Sequence, residues 1–317
     1  MRFVFRADAS QTIGSGHVMR LSAIAEEAVS RGIECCFYGS LGNINWLINR
    51  LAKLGIRFID SNVEQDFEIQ ASDVLILDSY VIPTDNPLLN SYKWFRKVLI
   101  ADNTTLAYKS DLVFYIGEEA SREKFTGIIF AGYEYMPIRR FVPLADKDVA
   151  APEIRSVVVS GGGTDPFGFS RAIAEAICGR EGFERAVFFN EDDRSISSLD
   201  SRFKVKPFGS ELDTEIQKSS LVFTTPSTLA FEVLSLNIPL GVGCATENQK
   251  DFFQYFLKHG LASEIAIRQN SNWKINIDNL DFLLERPVAF SQNPLDRTEN
   301  LKFNGSERIV ELILDSI

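Results

Sequence analysis

The stretch Arg6-Ala7-Asp8-Ala9-Ser10-Gln11-Thr12-Ile13-Gly14-Ser15-Gly16-His17-Val18-Met19-Arg20 decides how the rest of the chain is read. It follows the apolar run Arg2-Phe3-Val4-Phe5, a short buried strand by its composition. It leads into Val18, Leu21, Ile24, Ala25 and Ala28, which recur at helical spacing. The stretch is therefore a strand-to-helix turn that carries two glycines and one of the chain's two histidines. Gly14 and Gly16 permit positive φ and close approach of a ligand, and the following helix offers unpaired N–H groups and a partial positive charge. A phosphate or a polar sugar fits such a turn. His17 is expected in the first helical turn, where a neutral imidazole is a competent general base; a helix-capping or surface histidine is the plainer alternative. A dinucleotide site is excluded, because Met19 stands where G-x-G-x-x-G needs its last glycine and the second strand, Glu34 to Tyr38, ends without a ribose-holding acid.

Length and composition bound the remaining choices. A chain of 317 residues accommodates two α/β domains of ordinary size. The polar segment Leu144 to Arg155, flanked by Pro143 and containing Pro152, reads as a linker. Domains of residues 1–143 and 144–317 follow, with hinge motion expected around residues 142–153. With 45% hydrophobic and 24% charged residues, no apolar run of membrane length and no signal-peptide pattern, the chain reads as a cytoplasmic globular protein without membrane insertion. A net charge of −10 with no basic cluster argues against nucleic acid. Cys35, Cys36, Cys178 and Cys244 have no metal or disulfide spacing and read as buried thiols, and two histidines give no reason to expect zinc.

Further along, Asp73 to Asp78 and Lys97 to Asn103 are apolar strands ending in acids, as parallel strands covered on both faces do. Asp8, Asp78 and Asp102 are expected to converge on one sheet edge, each with helix or turn capping as its alternative role. Past the linker, Ser156 to Ser160 opens into Gly161-Gly162-Gly163-Thr164-Asp165-Pro166, a second anion-binding turn. Leu221 to Phe223 ends in Thr224-Thr225-Pro226-Ser227-Thr228 before a helix through Leu236, where Ser227 and Thr228 suit a diphosphate. Glu232, four residues on, suits the two hydroxyls of a ribose unless it is an ordinary solvated glutamate. The last helix, Glu307 to Leu314, is amphipathic.

Taken in order, Arg6-x-Asp8 with Gly14-x-Gly16-His17 and Arg20, then Asp78-x-Tyr80, Gly132-x-x-Tyr135-x-x-x-Arg139, Gly162-Gly163-Thr164-Asp165, Glu232 and Asn248-Gln249 resemble the PseG-type UDP-2,4-diacetamido-2,4,6-trideoxy-β-L-altropyranose hydrolases of pseudaminic acid biosynthesis. The resemblance runs from residue 2 to about residue 260. That family is similar to the GT-B glycosyltransferases, including the enzyme that adds GlcNAc in peptidoglycan lipid synthesis.

The resemblance implies a GT-B-like α/β fold of two Rossmann-like domains, their parallel sheets facing one cleft, and a metal-independent UDP-sugar hydrolase without cofactor. His17 would be the catalytic base, with Asp8 beside it. Arg6, Gly14, Gly16, Arg20, Asp78, Tyr80, Tyr135, Arg139, Gly162, Gly163, Thr164, Asp165, Ser227, Thr228, Glu232, Asn248 and Gln249 would bind substrate, and Phe188, Phe189 and Phe208 would neighbour the uracil. Ser79 and Arg140 depart from the family pattern, which has His and an acid there, and an asparagine-rich strand end is missing near Phe114 to Gly117. These departures lie on the sugar side and leave another amino-deoxy sugar nucleotide open. Transfer to an acceptor by a GT-B glycosyltransferase and silent binding of a nucleotide sugar are the alternatives. The expected partner is the UDP-sugar alone, with a monomer favoured.

Overall fold

The computed structural model describes residues 1–63, 67–118, 123–139, 155–163, 165–190, 193–209, 211–286 and 302–316. The chain forms two compact units: Met1–Phe141 joined by Phe303–Ile317, and Val142–Lys302. The linker residues 144–154, and with them most of the expected hinge and the boundary at 143/144, lie outside the described residues, as do Thr164 and Arg140.

The first unit contains β1 (Arg2–Arg6), α1 (Gly16–Ser30), β2 (Glu34–Gly39), α2 (Asn45–Lys53), β3 (Arg57–Asp60), β4 (Asp73–Leu77), β5 (Arg96–Ala101), β6 (Leu112–Tyr115), β7 (Ile128–Ala131) and α8 (Gly305–Asp315). Its strands form a parallel sheet in the order β3-β2-β1-β4-β5-β6-β7. β1, β4 and β6 are buried along their whole length, which is why they read as unbroken apolar runs. Sheet growth reverses between β1 and β4, so the loops leaving these two strands open side by side at the carboxyl edge, where α/β sheets place ligands. At the opposite end Arg2 and Asp73, paired in register, lock the same strands together: Arg2 Nε donates to Asp73 Oδ1 at 3.0 Å and Nη2 to Oδ2 at 2.6 Å.

The C-terminal helix corrects the expected domain division. α8 packs on α1 and on the 3-10 turn Tyr133–Tyr135, burying Ile309, Val310 and Ile313, so it completes the first unit and is no part of the second. Ser306 Oγ donates to the Ile138 carbonyl at 2.9 Å, and Arg31 reaches Glu311 at 3.2 Å. Gly305 makes the docking possible, since a Cβ there would lie 2.1 Å from the Met136 carbonyl oxygen. Gly305→Ala is accordingly expected to cost about 1–3 kcal/mol of stability in urea titration, the usual range for overpacking. An unchanged midpoint would show that the helix end is free to shift.

The second unit contains β8 (Ser156–Ser160), α3 (Phe169–Ile177), β9 (Arg185–Phe189), β10 (Phe203–Lys206), α4 (Glu211–Gln217), β11 (Leu221–Thr224), α5 (Thr228–Ser235), β12 (Leu240–Cys244), α6 (Lys250–Lys258), β13 (Ser263–Gln269), β14 (Asn272–Ile275) and α7 (Ile277–Glu285). The order β10-β9-β8-β11-β12-β13-β14 repeats the first topology, with β14 antiparallel at the edge. Phe188 and Phe189 are fully buried in this unit, Phe188 in a core cluster with Val159, Phe169 and Phe223, so neither is a neighbour for uracil; Phe208 is half-buried. Cys35, Cys36 and Cys244 are buried as expected, but Cys178, at the C-cap of α3, is exposed.

Candidate active site

His17 is the second residue of α1, as the glycine spacing requires. The turn before it closes through Gly14 N–H to the Ser10 carbonyl at 2.8 Å with Gly14 at φ +80°, whereas Gly16 begins the helix without needing a positive φ. His17 is 6% exposed, and its Nδ1 lies 2.6 Å from Asp78 Oδ1. Asp78, wholly buried at the end of β4, also accepts from Arg20 Nε at 2.7 Å and Arg20 Nη2 at 2.8 Å. Arg20 Nη2 stands 3.1 Å from His17 Nδ1 as well. A carboxylate can only accept, so Asp78 takes the Nδ1 proton and the Arg20 approach is a contact between two donors. In the neutral ring this puts the proton on Nδ1 and leaves Nε2 as the acceptor nitrogen, and no hydrogen bond to Nε2 is made among the described residues.

Asp8 does something else. It is held by Arg6 through Nη1 at 2.5 Å and Nη2 at 3.1 Å, and it accepts the Ser40 N–H at 2.8 Å. It ties the end of β1 to the end of β2 and makes no bond to His17, so Asp78 takes the place beside the base that the sequence reading gives to Asp8. Of the three acids expected at one edge, Asp78 and Asp102 meet through Arg20, whose Nη1 is 3.3 Å from Asp102 Oδ2. Tyr80 donates its hydroxyl to the same oxygen and stands edge-on to His17, ring centroids 4.1 Å apart. Asp102 Oδ1 accepts from Thr104 N at 3.0 Å, Thr104 Oγ1 at 2.8 Å and Thr105 Oγ1 at 3.2 Å. Burial alone would raise the Asp102 carboxyl; Arg20, Tyr80 and Thr104 outweigh it and hold it below the usual carboxylate range. Burial pushes the Tyr80 hydroxyl well up. The sequence places Asp102 at this edge, with capping as its alternative role, but not among the catalytic or substrate-binding residues; its position after a buried strand is the available signal. Ser79 Oγ accepts the Val81 and Ile82 N–H groups, each at 3.1 Å, and so shapes the turn after β4. Tyr135 ends its 3-10 turn packed on Phe114 and Phe130, and Arg139 is buried two residues past Pro137.

In the second unit the two strand-to-helix openings differ. After β8, Gly161, Gly162 (φ +100°) and Gly163 form the turn. Asp165, however, faces inward: Oδ1 accepts Phe169 N and Oδ2 accepts Ser170 N, both at 2.9 Å, and Asn190 Nδ2 donates to Oδ2 at 3.1 Å. Its carboxyl, raised by burial against these bonds, caps the first turn of α3 from within the chain. The expectation that Asp165 binds substrate is corrected on that ground. At α5 no side chain caps the helix: Ser227 Oγ donates back to the Thr225 carbonyl at 3.1 Å, and Thr228 opens the first turn. Glu232 follows one turn on and is 3% exposed, which excludes the solvated-glutamate reading. Asn248 accepts from Thr246 Oγ1 at 2.5 Å and Gln249 Oε1 from Ala245 N at 2.8 Å, both shaping the 3-10 turn Glu247–Gln249 after β12. Among the described residues no group of three His, Cys, Asp or Glu is placed to hold a metal, and no helix is long and apolar enough to cross a membrane.

These paired seven-stranded sheets and their switch points define the GT-B fold, and solved structures match it over nearly the whole chain. MurG from Acinetobacter baumannii is similar at a TM-score of 0.62 and 12% identity, covering 99% of this chain and 100% of its own. Anabaena Alr3699/HepE, solved in complex with UDP and glucose, is similar at a TM-score of 0.63 and 10% identity, covering 100% of both. No family model matches the sequence. A curated relative, the uncharacterized protein MJ1062 of Methanocaldococcus jannaschii, is 23% identical over 288 residues; the match takes in 81% of this chain and 58% of that protein. The chain thus spans little more than half the length of that relative.

Proposed function

We propose that this chain hydrolyses a UDP-linked 2,4-diacetamido-trideoxy sugar to the free sugar and UDP, without a metal, as in pseudaminic acid biosynthesis. The observation that carries the reading is the His17 ring, fixed by buried Asp78 through Nδ1 with Nε2 bare, at the carboxyl edge between β1 and β4. In this mechanism Nε2 takes a proton from water, the resulting oxygen attacks the anomeric carbon, and the bond to the UDP oxygen breaks with inversion, its electron pair leaving on the diphosphate. Asp78 orients the ring and stabilises the imidazolium as it forms. UDP is assigned to the second unit, its diphosphate to the Gly162 and Gly163 turn and the uncapped start of α5 at Ser227 and Thr228, its ribose to Glu232. Anabaena Alr3699/HepE, solved with UDP and glucose on the same fold, supports a uridine nucleotide.

The same base serves a GT-B glycosyltransferase if it takes the proton of an acceptor hydroxyl in place of water's. Phosphorus NMR of the protein with UDP-2,4-diacetamido-2,4,6-trideoxy-β-L-altropyranose, EDTA and no acceptor separates the readings. Hydrolysis predicts UDP release that His17→Ala reduces by about 10²- to 10⁴-fold. Release only on adding an acceptor sinks hydrolysis in favour of transfer, and UDP binding with no turnover of any donor leaves a silent binder.

A further inference from the structure

Around His17 the charges do not balance. Asp78 and Arg20 touch the ring nitrogen, Tyr80 touches the ring face, and Asp102 is joined to the group through both Arg20 and Tyr80. Among the described residues these groups come from α1, from the end of β4 and from the end of β5. Two carboxylates therefore face one guanidinium, and Arg20 is shared between them.

We propose that Asp102 is a positioning residue that leaves the His17 cluster with one surplus negative charge, so that proton uptake by His17 neutralises a buried group. This rests on His17 acting as the base. Asp78 by itself would be cancelled by Arg20. With Asp102 present, the imidazolium formed as water loses its proton brings the cluster from one net negative charge to none, which a low-dielectric surrounding favours. Asp102 suits the part because Thr104 and Thr105 satisfy its far oxygen, and its near oxygen is committed to Arg20 and Tyr80. With its hydroxyl proton given to Asp102, Tyr80 acts as a wall against the ring and has no proton left to donate to substrate.

The test uses the full chain without substrate. Its two histidines, His17 and His259, give ring signals that His17→Gln assigns. Asp102→Asn keeps the shape and removes the charge; the His17 signals of the variant are expected to take up their proton at lower pH than those of the wild type. Thr104→Val and Tyr80→Phe each remove a hydrogen bond from Asp102 but keep its charge, and their midpoints are expected to stay near wild type. An unmoved midpoint in Asp102→Asn, or an equal fall in Tyr80→Phe, overturns the proposal; the second variant also decides if Asp102→Asn does not fold. With substrate, kcat of Asp102→Asn is expected to drop about tenfold or more at unchanged UDP affinity. If the midpoint moves but the wild type releases no UDP, the charge assignment stands and the hydrolase reading fails.

Discussion

Asp78→Asn is expected to lower kcat for UDP release by about 10³- to 10⁴-fold while UDP still binds, a loss of the size seen when a triad acid becomes an amide. The reason lies in the two contacts of Asp78 with His17 and Arg20. An asparagine whose oxygen takes the Oδ2 place, accepting from Arg20 Nε, turns its amide nitrogen, a donor, toward Nδ1. Nδ1 must then accept, and the ring proton moves to Nε2, where it blocks the base. A near-isosteric change would thus silence the ring without removing it. Steady-state kinetics alongside calorimetric titration with UDP check this, and loss of UDP affinity in parallel with kcat would point to collapse of the first unit's loops instead. Asp8→Asn, by contrast, is expected to leave kcat much closer to wild type, because Asp8 holds Arg6 and the Ser40 amide.

The second large effect concerns stability. Asp73 is wholly buried, binds Arg2 through both oxygens, and also accepts the Gln70 N–H at 2.8 Å. Asp73→Ala leaves the buried Arg2 guanidinium over the Phe67 ring with the Glu68 carbonyl, 3.2 Å away, as its remaining hydrogen bond among the described residues, and is expected to cost about 3–5 kcal/mol in denaturant unfolding. The double variant Arg2→Leu/Asp73→Leu is expected to recover much of that, since it removes the stranded charge. If the double variant is as unstable as the single, the pair's value lies in its hydrogen bonds to the chain and not in charge compensation.

The fold was legible because parallel strands buried on both faces leave unbroken apolar runs, as at Val74 to Leu77 and Val157 to Val159. Each of the two strand-to-helix openings also carries closely spaced glycines, Gly14 and Gly16 in one and Gly161 to Gly163 in the other. The hairpin of β13 and β14 and the helix α7 escaped the reading; Ser263 to Ile275 mixes polar and apolar residues, as a sheet edge does. The partner of α8 was not legible at all. An amphipathic stripe shows that a helix is covered, and the surface that covers it is chosen by shape, here by the room beside Met136 that Gly305 leaves. In the first unit, residue types and order, read through the resemblance, picked out His17, Arg20, Asp78 and Tyr80, which the structure brings together. Which acid meets the histidine is a matter of loop direction, so Asp8 and Asp78 could not be ranked. The inward turn of Asp165 was equally hidden, because a carboxylate that caps a helix and one that awaits a ligand occupy the same place in a motif.

The return of α8 to the first unit also sets an order of events during synthesis. Val142–Lys302 is one continuous segment and has all of its strands once residue 275 has emerged. The sheet of the first unit is made much earlier, yet the face of α1 that α8 covers stays bare while some 160 further residues are translated, on the order of ten to thirty seconds at usual rates of synthesis. During that interval the helix bearing His17 lacks its outer support. A nascent chain that has emerged from the ribosome as far as residue 302 but no further is expected to have its second unit protected from protease while the back of α1 is still open to chaperones.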